Sequence, residues 1–303
     1  MFFPLARVTN PAAHLRLYTN VDALPVVDGV ALDSLLKSLG VEVVTLPFTF
    51  NPTPGHSSRW RNQFFIFDIL SHLGMDREAK AHILLDSDCV IRGDLGDMVR
   101  ACASLGSLTL DCGYPALGGT SINGLTLAEL NHISRSIAQS CGFTPVGEGR
   151  CTYAGGEFFC ATPHFIRTLV SQLPPVWSRH REAVAANSPR FMEEAHMLSF
   201  FYWLNGISFG MGNPYVRRIW TALRYHNVSA EDLNLAIWHL PAEKHYGFRR
   251  TWSRLVHSRE EIGKAAEDAL RMDTRYFGVP RRTLWKGLAD VGYRLRLRAL
   301  REF

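Results

Sequence analysis

No apolar run in these 303 residues approaches the ~20 needed for a membrane-spanning helix. The opening MFFPLARV is too short and too interrupted by Pro4 to read as a signal peptide. Cysteine is sparse. The six (89, 102, 112, 141, 151 and 160) fall in the middle of the chain and form no Cys-x-x-Cys pair, which argues against a zinc or redox motif. They read as reduced, mostly buried thiols of a cytoplasmic protein. Neither GxGxxG nor GxxxxGK[ST] occurs, so the familiar glycine-rich phosphate cradles are missing too. There is no internal repeat and no low-complexity tract. The charge excess is mild, +5 with a pI near 9.0, and favours anionic partners without choosing among them.

The most informative stretch present is Ala81 to Leu95, AHILLDSDCVIRGDL. Ile83, Leu84 and Leu85 suit a strand buried on both faces of a parallel sheet. The run stops at Asp86-Ser87-Asp88. Were the strand continuous, both carboxylates would point to one face, because side chains alternate with period two. Two like charges that close favour a hard divalent cation between them, with open positions for phosphate oxygens. The plain alternative is an acidic turn at a strand end.

Around this stretch the chain alternates strands and helices: strands at 15–19 and 41–46, and helices at 32–39 and 59–73. Further helices are predicted over 98–105, 125–139, 164–173 (ended by Pro174-Pro175) and 191–204, with a strand over 108–112. Such alternation predicts an α/β fold with a parallel sheet. Residues 51–58, 113–124 and 142–150 read as loops. Gly155-Gly156, in CTYAGGEFFCAT, marks a bulge or a close approach of backbone to a ligand.

The order of these segments resembles the GT-A glycosyltransferases, in particular the retaining glycogenin and lipopolysaccharide-galactosyltransferase type, over roughly residues 15 to 250. The resemblance implies a Rossmann-like, mostly parallel sheet flanked by helices, and transfer of a hexose from a nucleotide-sugar. LLDSD followed by GDL resembles the family's Asp-x-Asp strand end, where Asp86 and Asp88 would hold manganese rather than magnesium. His239, followed by Lys244, resembles the late segment in which a histidine is the third metal ligand and a lysine meets the diphosphate. Asp68-Ile69-Leu70 matches the end of the helix before the Asp-x-Asp. The family's donor-facing arginine falls on Gln63, so Arg61 is either its substitute or a solvated helix start. Tyr153-Ala154-Gly155 resembles the strand facing the donor sugar, with Gly155 and Gly156 at the substrate and Glu157 in place of an asparagine. Glu193 and Glu194 fall where the family carries an acidic pair or Asp-Gln. They equally suit a helix first turn. Glu157 and Glu194 are the candidate catalytic carboxylates.

The family opens with a nucleotide-binding strand, and only fourteen residues precede LRLYT here. Either the pocket is built differently or that strand is missing. The resulting expectation is a GT-A-like domain over 1–250, followed by a basic helical extension over 251–303. The donor would be a UDP-sugar and the acceptor a glycan or lipid-linked glycan, with no nucleic acid among the partners. In the extension Leu284, Leu288, Val291 and Leu295 form a stripe beside Trp285, amid Arg281, Arg282, Lys286, Arg294, Arg296, Arg298 and Arg301. This helix either docks on the domain or lies on an anionic membrane face. The rivals are an inactive GT-A-like binding module, a nucleotidyltransferase, and a haloacid-dehalogenase-type phosphatase. The phosphatase would want Gly-Thr or Gly-Val where Cys89-Val90 stands.

Overall fold

A computed structural model describes residues 2–52, 60–114, 119–147, 149–222, 225–257 and 276–299. Expectations for 53–58 and 115–118 in the two loops, for Arg59 at the start of the helix expected over 59–73, for Glu148, for 258–275 of the extension, and for Arg301 lie outside them. So do the side chains of Arg294, Arg296 and Arg298. The chain divides into two compact units, each assembled from separated segments. The α/β class holds for both.

The first unit comprises residues 1–44, 86–95 and 214–303. Helix α1 (Phe2–Thr9) occupies the place where a nucleotide-binding strand was sought, with Pro4 in its first turn. Strands β1 (Leu15–Thr19) and β4 (Val41–Thr45) pair, the latter beginning in this unit, and α2 (Leu32–Ser38) lies between them in sequence. Gly40, at φ +64, turns the chain from α2 into β4. Asp28 and Gly29, both at positive φ, make the two-residue turn between β2 (Val26–Val27) and β3 (Val30–Ala31). β6 (Cys89–Ile91), β9 (Val216–Arg218) and β10 (Ile237–His239) form a sheet in the order β6-β10-β9. Leu5, Val90, Ile219, Trp238, Leu240, Phe277 and Val279 build the core over it. Among the described residues this unit also contains helices α8 (Gly247–His257) and α9 (Leu284–Ala299).

The second unit comprises 45–85 and 96–213. Its sheet has the order β5-β8-β7, with β5 at His82–Leu85, β7 at Ser107–Leu108 and β8 at Phe158–Ala161. β8 is the central strand and all four of its residues are buried. Ile83 to Leu85 of β5, at one edge of the sheet, are only half-buried. The helix expected over 59–73 is split into a 3-10 turn, Arg61–Phe65, and α3 (Ile66–Leu73), which packs on α6 (Pro163–Ala185). The predicted stop at Pro174-Pro175 is not found, since α6 runs through both. An interior proline costs ~3 kcal/mol, whereas a fully buried large apolar side chain returns ~1.5–3 kcal/mol. Phe165, Ile166, Leu169, Leu173, Val176 and Trp177 are all buried along α6, so packing outweighs the two lost backbone bonds. Helices α4 (Gly96–Leu105), α5 (Leu127–Ser140) and α7 (Glu194–Leu204) complete the unit. Thr126 and Glu129 cap α5 reciprocally. Every residue of α7 is buried.

Strand direction differs from the mostly parallel arrangement expected. β9 and β10 run parallel, but β6·β10, β5·β8 and β7·β8 are antiparallel. Only three residues separate β5 from β6, too few for a crossover, and the two strands enter different sheets. The six cysteines are free thiols, four of them buried. Among the described residues no helix is long and apolar enough to cross a membrane.

Candidate metal centre

Asp86 and Asp88 do not lie on one continuous strand. The Cys89 N–H donates to the Asp86 carbonyl at 3.0 Å, closing a tight turn through Ser87. The turn leaves Asp86 exposed and swings Asp88 inward, where it is 1 % exposed. Antiparallel pairing then supplies a partner from 151 residues away. His239 sits opposite Cys89, with Trp238 opposite Val90 and Ile237 opposite Ile91. That register is locked by the Leu240 N–H on the Asp88 carbonyl (3.0 Å) and by burial of Trp238. His239 Nε2 consequently lies 3.2 Å from Asp88 Oδ2.

The chain next forms a 3-10 turn, Pro241–His245, which carries Lys244 back over the same carboxylate. Its Nζ is 3.0 Å from Asp88 Oδ2. Burial alone would raise the Asp88 carboxyl. The hydrogen bond and charge of His239, joined by those of Lys244, outweigh it and hold the group below its ordinary value. Asp88 is thus an ionised, buried carboxylate.

The donor set fits a divalent ion. One ligand atom each from Asp86, Asp88 and His239 lies within 4.8 Å of the others. An ion ~2.2 Å from its ligands accepts ligand atoms up to ~4.4 Å apart, so a small side-chain rotation closes the set. Asp88 Oδ1 is buried and makes no hydrogen bond, which leaves one lone-pair face for a cation. Two hard carboxylates with one imidazole suit manganese or magnesium better than soft metals. Asn10, missed from sequence, braces the loop beyond. It donates to the Gly93 carbonyl at 3.1 Å and accepts from the Leu95 N–H at 2.9 Å.

No protein-family model matches this chain, and no curated protein matches its sequence. Among solved structures it is similar to mouse xyloside xylosyltransferase 1 in its apo form, at 13 % identity and a TM-score of 0.42, covering 75 % of this chain and 83 % of that one. It is also similar to the galactosyltransferase LgtC in complex with donor and acceptor sugar analogues, at 12 % identity and a TM-score of 0.44, covering 94 % of each chain. Both are glycosyltransferases of the GT-A fold.

The remaining candidates lie in the second unit. Gly155 and Gly156 are close-approach positions. A Cβ on Gly155 would come within 2.6 Å of both Cys112 Sγ and Glu157 Oε2, and one on Gly156 would collide with Glu194 Oε1. The close approach is thus to neighbouring side chains, which would have to shift to admit a larger residue. Glu157 and Glu194 are both buried. Glu193 stands at the N-terminal boundary of α7 rather than inside its first turn. It accepts from the Tyr153 hydroxyl at 2.9 Å and from Asn123 Nδ2 at 2.7 Å. Arg61 is exposed, with Nε on Asn51 Oδ1 at 2.6 Å. Asp68 serves a structural purpose, accepting from the N–H groups of Thr49 and Phe50.

Proposed function

We propose that this chain transfers a hexose from a nucleotide-sugar, a UDP-sugar, to a glycan or lipid-linked acceptor with retention of configuration. Asp86, Asp88 and His239 would hold the divalent cation, manganese in preference to magnesium. The observation that carries the reading is the buried Asp88 carboxylate. It has one oxygen paired with an imidazole and an ammonium, and the other free of hydrogen bonds. A bound ion would supply Lewis-acid neutralisation of the leaving diphosphate. Lys244 is half exposed on a flexible stem, which suits it to meet a phosphate as a point charge. Glu157 and Glu194 are assigned to orienting the acceptor hydroxyl and stabilising positive charge on the sugar. Gly155, Gly156 and Arg61 are assigned to the substrate.

We place the protein in the cytoplasm, peripheral on the anionic inner membrane face through α9. Leu284 is 88 % exposed and Trp285 80 %, so the apolar stripe of this basic helix faces outward. The test is manganese-dependent hydrolysis of UDP-glucose or UDP-galactose without acceptor. Turnover lost on chelation supports the reading. Metal-independent cleavage of simple phosphoesters instead contradicts it.

A further inference from the structure

Basic residues of α9 are expected to face solvent, yet Lys286 is 1 % exposed and Asp290 4 %. Lys286 Nζ donates to both oxygens of Asp290, at 2.8 and 2.7 Å, and to Glu243 Oε1 at 2.8 Å. Glu243 is fully buried on the 3-10 turn, one residue before Lys244. The Thr221 hydroxyl donates to the same Glu243 oxygen, and the Gly247 N–H donates to the other at 2.9 Å. Arg282 closes the network, donating to Asp290 Oδ2 at 2.8 Å and to the Thr221 carbonyl at 3.0 Å.

Burying charges costs several kcal/mol per ion after relaxation, so a helix that needed only attachment would dock through apolar residues. Here the apolar stripe is left outside and the ions are buried. Such a network defines position more than it adds stability, and the element it positions is the turn that carries Lys244. We propose that α9 is a latch: Lys286, a positioning residue, fixes Glu243 and so sets Lys244 over Asp88. This rests on the donor reading for its consequence, and on the Glu243 network alone for its existence.

Lys286→Met removes the central cation, and Thr221→Val removes one donor to Glu243 in case the first variant does not fold. Two readouts are needed. In ligand-free protein, the Gly247 amide should exchange with deuterium at least ~10-fold faster, because its acceptor is freed to move. In calorimetry with manganese, affinity for uridine diphosphate should fall about tenfold while affinity for uridine holds, since a displaced lysine loses a charge-assisted contact. Lys286→Arg, which keeps the cation, should recover part of both. Unchanged Gly247 exchange in a folded variant overturns the latch. Equal weakening for uridine and uridine diphosphate overturns the positioning claim and leaves a purely structural role. If the wild type shows no manganese-dependent diphosphate binding, the donor reading falls, and amide exchange alone still decides whether the latch exists.

Discussion

Asp88→Asn separates the fold from the chemistry. The variant keeps the shape of a side chain that is 1 % exposed. Its amide oxygen can still accept from one of the two present donors, so one charge-assisted bond is lost, ~1.5–3 kcal/mol. Against that, the several kcal/mol cost of burying a carboxylate disappears. Lys244, half exposed, rehydrates where it stands. These terms nearly cancel, so the fold should hold with Tm moved by less than about 5 °C. Metal binding has no such compensation. The variant loses one of three protein ligands and one of two anionic charges. Since loss of outer-shell support alone costs ~10–100-fold, loss of the ligand itself should exceed ~100-fold, or ~2.7 kcal/mol. The assay is titration calorimetry with uridine diphosphate, at saturating manganese and again with chelator. The variant should show no gain from manganese. A folded Asp88→Asn protein that keeps the manganese-dependent gain within about threefold of wild type would refute this assignment.

His239→Gln, which also removes a ligand, should weaken manganese binding by more than ~100-fold, and Lys244→Met should weaken uridine diphosphate binding while leaving uridine unaffected. Paired titrations with the two ligands check both. His196 is buried with Nε2 on the Ile122 carbonyl at 3.0 Å, and burial lowers its pKa to about 4. Because the folded state holds this base neutral, its contribution is full above pH ~6.5 and is lost as pH falls towards 4, amounting to about 3 kcal/mol. Urea midpoints should drop over that window in the wild type and drop less in His196→Gln; equal slopes would contradict it. On α9, Trp285→Ser with Leu288→Ser removes exposed apolar area and leaves the Lys286–Asp290 pairing intact. Co-sedimentation with anionic vesicles at low salt should weaken markedly with Tm unchanged, and binding equal to wild type would remove the membrane assignment.

The Asp-x-Asp was legible because apolar residues, two carboxylates and a second apolar run occupy a few consecutive positions. His239 and Lys244 were legible only through segment order, since the pairing of His239 with Cys89 spans the chain. The turn at Ser87 was offered only as the alternative to a continuous strand, and it is the one the structure shows, with Asp and Ser in their usual turn role. The passage of α6 through Pro174-Pro175 was hidden for a different reason: tertiary burial of Leu173, Val176 and Trp177 overrides a local breaker. α9 was read with two fates, docked through its apolar stripe or lying on a membrane, and both left its basic residues outside the fold, whereas Lys286 is buried with its partner 43 residues earlier, at Glu243. Arg282, Lys286 and Asp290, spaced by four, were the available signal for that polar face. The Asp28-Gly29 hairpin turn and the Thr126–Glu129 cap were likewise written locally.

The central claim is that the Asp86, Asp88 and His239 side chains hold a divalent cation against a diphosphate. Electron spin echo spectroscopy of manganese bound with uridine diphosphate tests it directly. The account predicts modulation from one imidazole nitrogen and from phosphorus, with the nitrogen signal absent in His239→Gln. A manganese spectrum lacking nitrogen coupling in the wild type, or retaining it in His239→Gln, would contradict it.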